Sequence, residues 1–371
     1  MDPAGKTVVG LAIMLFCLAL ATPALGEDSE NSYTPLLSVP RVRNQCSMNH
    51  CWLMSWLGER EINQSPTLGN TALSAAFVFA HHLRDQIEER FSEKPLDIEE
   101  GGSYELAEEL VETHGIVPEE AWQPTVPFSE WHERGLVAEL NNTLSNWRGV
   151  YLSLDIPWER KKELREIYHA EAIAILNKFS GPLPTSFTYR GQITNPLAFA
   201  KQSGVLPQSP TRLIVRVRHP NAEIKKLLGK ELSAKDVDHL KEFLDEQSWP
   251  LWKKRISAGK MTLVLDSAAG VVHALEERLE SGKAAAIGLQ LYDMDREEAV
   301  IGGNANTVGE KLWDSDRGHG VVIYGMSRKR SCVTGWRLLD SQGTQAGQEG
   351  SRHLTASFLK RAILSLALTG K

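Results

Sequence analysis

Asn44-Gln45-Cys46-Ser47-Met48-Asn49-His50-Cys51-Trp52 is the densest concentration of chemistry-bearing side chains in the sequence, and it runs directly into Leu53-Met54-Ser55-Trp56-Leu57. A polar turn followed by such an apolar run predicts a buried helix opening at Cys51. A cysteine in the first turn of a helix has its thiolate favoured by the positive end of the helix dipole and by backbone N–H groups without an intrahelical partner. Acyl transfer at that sulfur needs three further parts: a base to share the proton, a group to hold the base, and donors aimed at the developing oxyanion.

Candidates for all three lie further along the chain or just before it. His319 stands in Arg317-Gly318-His319-Gly320 at the mouth of a predicted strand. Asp340 follows in Leu338-Leu339-Asp340-Ser341-Gln342-Gly343, and Gln45, six residues before Cys51, offers a side-chain amide. Taken singly, each has a structural reading: an inert core cysteine, a histidine capping a strand, an aspartate forming a turn. The combination in this chain order favours the chemical reading. A zinc site from Cys46, His50, Cys51 and His319 lacks the paired spacing such sites use, and neither metal nor cofactor is expected.

The surrounding chain is helix-rich first and strand-rich last. Leu73 to Phe91 and Tyr104 to His114 carry apolar residues at helical spacing, the second ending at Gly115. Charged helical character prevails from about 127 to 260, as in the stripe Leu164, Ile167, Tyr168, Ala172, Ile175 and Leu176 before Gly181-Pro182. Short apolar runs at Met261 to Leu265, Ala284 to Leu291, Gly320 to Tyr324 and Trp336 to Leu339 read as strands, and 293 to 318 as a long polar loop. His81-His82 reads as a solvated helix face.

The 371 residues, 42% apolar and 24% charged, describe a folding globular chain rather than a low-complexity or disordered one. A formal charge of −6 gives no general attraction to phosphate backbones, so nucleic acid is not an expected partner. Ten tryptophans are read as buried anchors rather than as the wall of a groove. Residues 1–26 have the layout of a secretory signal: Lys6, an apolar run from Val8 to Ala21, then Thr22-Pro23-Ala24-Leu25-Gly26. The run falls short of the roughly 20 residues of a membrane-spanning helix, so the expected localisation is secreted or periplasmic, with no stable membrane span after removal. Outside the signal, the cysteines are Cys46, Cys51 and Cys332. An odd number there implies either one pair, Cys46 with Cys332, plus a free thiol, or no pair.

With these residues in place, the sequence resembles the papain-like cysteine peptidases. Gln45 and Cys51-Trp52 resemble the family's oxyanion glutamine and nucleophile, and Gly318-His319-Gly320 its histidine strand. Asp340-Ser341-Gln342-Gly343, with Gly347-Gln348-Glu349-Gly350 after it, is similar to its Asn-Ser-Trp-Gly turn. The resemblance implies an α+β, two-lobed fold with a helical N-terminal lobe and an antiparallel, β-barrel-like C-terminal lobe. It gives Cys51, His319, Asp340 and Gln45 catalytic roles, and Gly101, Gly102 and Trp52 roles in binding peptide substrates.

Cys51 and His319 stand about 270 residues apart, nearly twice the ordinary interval of about 130 to 150. This points to the bleomycin hydrolase, or C-type aminopeptidase, branch. Leu73 to Phe79, Gly101-Gly102, His114 to Pro118 and Gly181-Pro182 through Arg190 have look-alikes there in the same order. The expected division is then a signal at 1–26, a helical lobe with the nucleophile at 27–126, a helical insertion at 127–260 and a β-rich lobe with the histidine at 261–371. The branch further implies an aminopeptidase, a homo-oligomer of hexameric form, and a C-terminal carboxylate set in the cleft. Two departures matter: Asp340 replaces the orienting amide, and Gln342 replaces the tryptophan that shields it, which predicts water reaching the His319 contact. They motivate an alternative, a catalytically impaired papain-like binding or scaffolding protein.

Overall fold

The buried helix expected at Cys51 is the pivot of the structure. The structure, a computed structural model, describes residues 37–92, 95–218, 220–240, 249–290, 300–301, 318–329, 332–344 and 347–369. The signal at 1–26 and nearly all of the polar loop at 293–318 lie outside the described residues.

The first half of the chain is helical: α1 (Cys51–Asn63), α2 (Ser65–Leu68), α3 (Ala75–Ser92), α4 (Tyr104–His114), α5 (Leu136–Leu152) and α6 (Trp158–Ser180). A hairpin of β1 (Phe187–Tyr189) and β2 (Gln192–Thr194) and helix α7 (Pro196–Gln202) follow. Then come β3 (Thr211–Arg216), α8 (Ala222–Lys225), β4 (Glu231–Leu232), α9 (Ala234–His239), α10 (Trp249–Ser257), β5 (Met261–Asp266), α11 (Ala268–Glu280) and β6 (Ala285–Gln290). The chain closes with β7 (Val300–Ile301), β8 (Gly318–Lys329), β9 (Cys332–Leu339), β10 (Ser351–Thr355), α12 (Ala356–Ala362) and β11 (Ile363–Leu368). Among the described residues no helix is long and apolar enough to cross a membrane.

Helix α1 is buried from Trp52 to Ile62, which makes it the axis of the helical lobe rather than a surface helix. Its polar end is therefore obliged to find partners. Arg43 pairs with Glu61, Arg60 lies 2.9 Å from Glu108, and Glu59 accepts from Thr369 at 2.7 Å and pairs with Arg278 at 3.2 Å. Helices α3, α4, α5 and α6 close around it over one apolar cluster that includes Trp52, Trp56, Trp131 and Trp147. The tryptophan reading holds for Trp56, Trp131, Trp147 and Trp336, whereas Trp52 and Trp252, though mostly buried, also line the cavity between the lobes, and Trp158 is exposed.

The second lobe is a nine-stranded sheet ordered β4-β5-β3-β11-β6-β8-β9-β10-β7, antiparallel throughout from β3 to β10. Helices α11 and α12 supply the apolar cover of one face, with Val271, Leu275 and Phe358 against Ile287, Ile323 and Leu366. One expectation changes here. The stretch 127–260 is not helical throughout: β3 sits inside the sheet between β5 and β11. Thr211-Arg212-Leu213-Ile214-Val215-Arg216 buries Leu213 and Ile214 while arginines at both ends disguise the run as charged helix. The α+β, two-lobed class stands.

Candidate active site

The two lobes meet where the start of α1 lies against β8. Gly320 makes that approach feasible: a Cβ there would lie 2.9 Å from the Cys51 carbonyl oxygen and 2.8 Å from Ser55 Oγ. Cys51 and His319 thereby come to line one cavity of about 420 Å³ between α1, the start of α4, and strands β3, β6, β8 and β11. His50, the N-cap of α1, makes no side-chain capping bond, so the first turn keeps its N–H groups for the sulfur.

The register of β8 with β9 supplies the third member. Leu339 pairs with Val322, so the residue just past the strand falls beside His319. His319 donates from Nε2 to Asp340 Oδ1 at 3.1 Å, and the imidazole is also hydrogen-bonded to the Cys51 sulfur. Asp340 is fully buried, and its other oxygen, Oδ2, lies 3.3 Å from Nε of buried Arg352 on β10. Arg352 also donates to Gln342 Oε1 at 3.3 Å. The expectation that Gln342 leaves this contact open to water is corrected: Asp340 has no exposed surface, Arg352 lies beside it, and Gln342 is engaged by that arginine.

The electrostatics follow from these contacts. Burial pulls the His319 imidazole down, but the bonds to Asp340 and Cys51 and their charges overcome it and raise the pKa to about 9. For Cys51 burial pushes the thiol up, yet the His319 bond and charge, with the backbone N–H groups of Gly320 and Trp52, bring it below its ordinary value. The pair therefore favours thiolate and imidazolium.

Gln45 is stitched to the same corner. Its N–H donates to the Ser341 carbonyl at 2.6 Å, Ser341 Oγ donates to its side-chain oxygen, and its Nε2 donates to the Met48 carbonyl at 3.2 Å. Gly343 N–H donates to the Arg43 carbonyl at 3.1 Å, so the turn after β9 and the segment before α1 are held edge to edge. Trp52 donates from its indole to the Glu100 carbonyl at 3.1 Å and lies flat under Gly102, where a Cβ would come within 2.6 Å of the ring. Gly102 therefore presents bare backbone at the cavity rim, while Gly101 faces open space.

Of the two readings of the odd cysteine count, the unpaired one holds: Cys46 and Cys332 are both free. Cys332 starts β9, whereas the Asn44–Gln342 bridge ties the Cys46 region to the turn past the far end of that strand, which is itself about 23 Å from Cys332 at the strand rise. His81 and His82 are not a solvated face: His81 stacks on His114 at 4.1 Å, and His82 is buried against Gln86 at 2.9 Å. The expected terminal carboxylate falls on residues outside the described ones; Thr369, just before them, is bonded to Glu59 two turns along α1 from Cys51. Sequence reasoning missed Arg352, although an acid standing where the resembled family has an amide was itself a signal for a compensating cation.

No family model matches the chain, and no curated protein matches it in sequence. Among solved structures, PepW from Lactobacillus rhamnosis superposes with a TM-score of 0.66 at 15% identity, over 98% of this chain and 92% of that one. Xylellain, a cysteine protease from Xylella fastidiosa, covers 92% of this chain and 87% of its own at 11% identity, but its TM-score of 0.39 carries no argument. Helical lobe, sheet lobe and the seam between them thus follow one known plan: the chain has the papain-like, two-lobed α+β fold.

Proposed function

We propose that the protein is a cysteine peptidase working through an acyl-enzyme at Cys51. The observation that carries this is the linked set Cys51, His319 and Asp340 at a cavity between the lobes. The thiolate attacks the carbonyl carbon of a peptide bond, and the oxyanion is met by the Cys51 N–H and by the free N–H of the Gln45 amide. The His319 imidazolium gives its proton to the departing amine, leaving a thioester. Neutral His319 then takes a proton from water as that water attacks, and the expelled sulfur regains its thiolate form. Asp340 holds the ring in place, and Gly102 offers backbone hydrogen bonds to an extended peptide.

The finer reading is an exported or periplasmic aminopeptidase assembling as a homo-oligomer, supported by the N-terminal pattern and the branch resemblance. The scaffold alternative rests on Asp340 and Gln342; the intact His319–Asp340 bond favours the enzyme. Digestion of one defined peptide followed by mass spectrometry tests activity and mode together. A ladder shortened from the front marks an aminopeptidase, and internal cuts an endopeptidase. Cys51→Ala abolishes either pattern while keeping unfolding free energy within about 1 kcal/mol of the parent. An unchanged peptide, with Cys51 alkylated slowly and titrating near about 8.5, decides for the scaffold.

A further inference from the structure

Buried carboxylates in this molecule come with cations. Glu61 has Arg43, Glu108 has Arg60 and Arg255, Glu59 has Arg278, and Asp340 has Arg352 and His319. Glu105 breaks the pattern. It is the second residue of α4, only 4% exposed, and its side chain makes no hydrogen bond or ion pair among the described residues. It lines the same cavity as Cys51 and His319, and no lysine or arginine is among the described residues of that lining.

The first turn of a helix favours an acid, but that stabilisation is modest and does not require burial. Buried acidic residues are normally paired, and Glu105, at the cavity wall, has no partner among the described residues. Among the described residues no side chain supplies a cation, and the cavity gives one a route to Glu105. Its other walls are largely apolar, with Leu213, Val215, Trp252, Ala286 and Leu364 among them. A largely apolar channel with one carboxylate in its wall matches a cation on an aliphatic stem, whose methylenes lie along the walls while the head reaches the acid. We infer that Glu105 determines substrate specificity by pairing with a lysine or arginine side chain of the bound peptide. The inference rests on the peptidase reading and adds its substrate class: peptides with a basic residue on the acyl side of the cleaved bond.

The test uses dipeptidyl coumarylamides with Arg, Leu or Glu at each position in turn, each in N-acetylated and free-amine form. The full-length parent is expected to favour Arg over Leu in kcat/KM at one position, compared within whichever amine form it turns over. In Glu105→Gln the Arg-to-Leu ratio falls about tenfold or more, and in Glu105→Lys the preference turns toward Glu. Thermal unfolding of both variants is followed in parallel; if Glu105→Lys fails to fold, Glu105→Gln alone decides. Equal losses on all substrates, or no preference for Arg in the parent, would each overturn the assignment.

If the parent turns over none of them, the rates at which arginyl and leucyl chloromethyl ketones alkylate Cys51 replace turnover as the readout. A Cys51 that reacts with iodoacetamide and shows an arginyl preference dependent on Glu105 supports the inference. The same reactivity without that preference overturns it, while a Cys51 inert even to iodoacetamide overturns the peptidase reading itself.

Discussion

His50 and His319 flank the same sulfur, one along the chain and the other across the cleft, and the protein drives their imidazoles in opposite directions. His50 is fully buried between Phe79, 3.8 Å away, and Phe128, stacked at 5.2 Å, and neither ring nitrogen has a hydrogen-bond partner among the described residues. Burial, then the neighbouring His82 and His132, push its pKa down to about 3. His319 suffers the same burial and still titrates near 9, because Asp340 and the sulfur face it. Burial by itself neutralises a histidine; a facing carboxylate reverses the outcome. The arrangement keeps positive charge off the helical wall behind Cys51 and places it on the sheet wall in front, so that the thiolate has a single counterion.

The largest effect expected from breaking this asymmetry is at His319. His319→Gln removes the counterion and the proton donor together, so hydrolysis falls by about 10³-fold or more. Cys51 then titrates back toward the ordinary thiol range, which the pH dependence of iodoacetamide labelling measures. Were labelling at pH 6 to survive the change intact, the helix N-terminus rather than His319 would be holding the thiolate.

A smaller effect is expected from Asp340→Asn, which keeps a hydrogen-bond acceptor and removes the charge. The parent's thiolate–imidazolium pair persists until pH rises through about 9, where His319 loses its proton; on the acid side it ends where the lowered Cys51 thiol is protonated. With the carboxylate gone the alkaline limb moves to lower pH, and kcat/KM at pH 8 drops about tenfold. An alkaline limb that stays in place would show that the Cys51 sulfur alone raises His319.

Much of this contrast was legible in the sequence, and the limits have physical reasons. Cys51 could be read because a helix start, a nucleophile and Gln45 lie within one short segment. His319 and Asp340 could be read because each sits at the end of a short apolar strand. Arg352 could not be located from any local pattern: the β9–β10 ladder, pairing Leu338 with Arg352, brings it beside Asp340. Likewise Glu105 stands in the first turn of α4, and no local pattern shows that it is buried at the cavity wall. His82 was misread because the helical spacing of α3 shows which residues are apolar but not that polar Gln86 and the Glu99–Gly102 segment pack over its second face.

The smallest effect sharpens the other half of the comparison. A histidine held neutral in the fold binds its proton in the unfolded chain first, so the unfolded state gains protons as pH falls from about 6.5 toward 3. Stability contributed by His50 is therefore present at neutral pH and lost on acidification, at about 1.4 kcal/mol per pH unit through that window. His50→Phe keeps an aromatic ring between Phe79 and Phe128 and removes the titration, so its unfolding free energy, measured by urea at pH 7, 6 and 5, falls less steeply than the parent's by about that slope. His319 contributes with the opposite sign, its share being present below about 6.5 and lost as pH rises through 9. The two residues thus destabilise the fold at opposite ends of the pH scale. Parent and His50→Phe curves of equal slope on the acid side would mean that the ring takes up a proton inside the folded lobe, and the asymmetry across the sulfur would be lost with it.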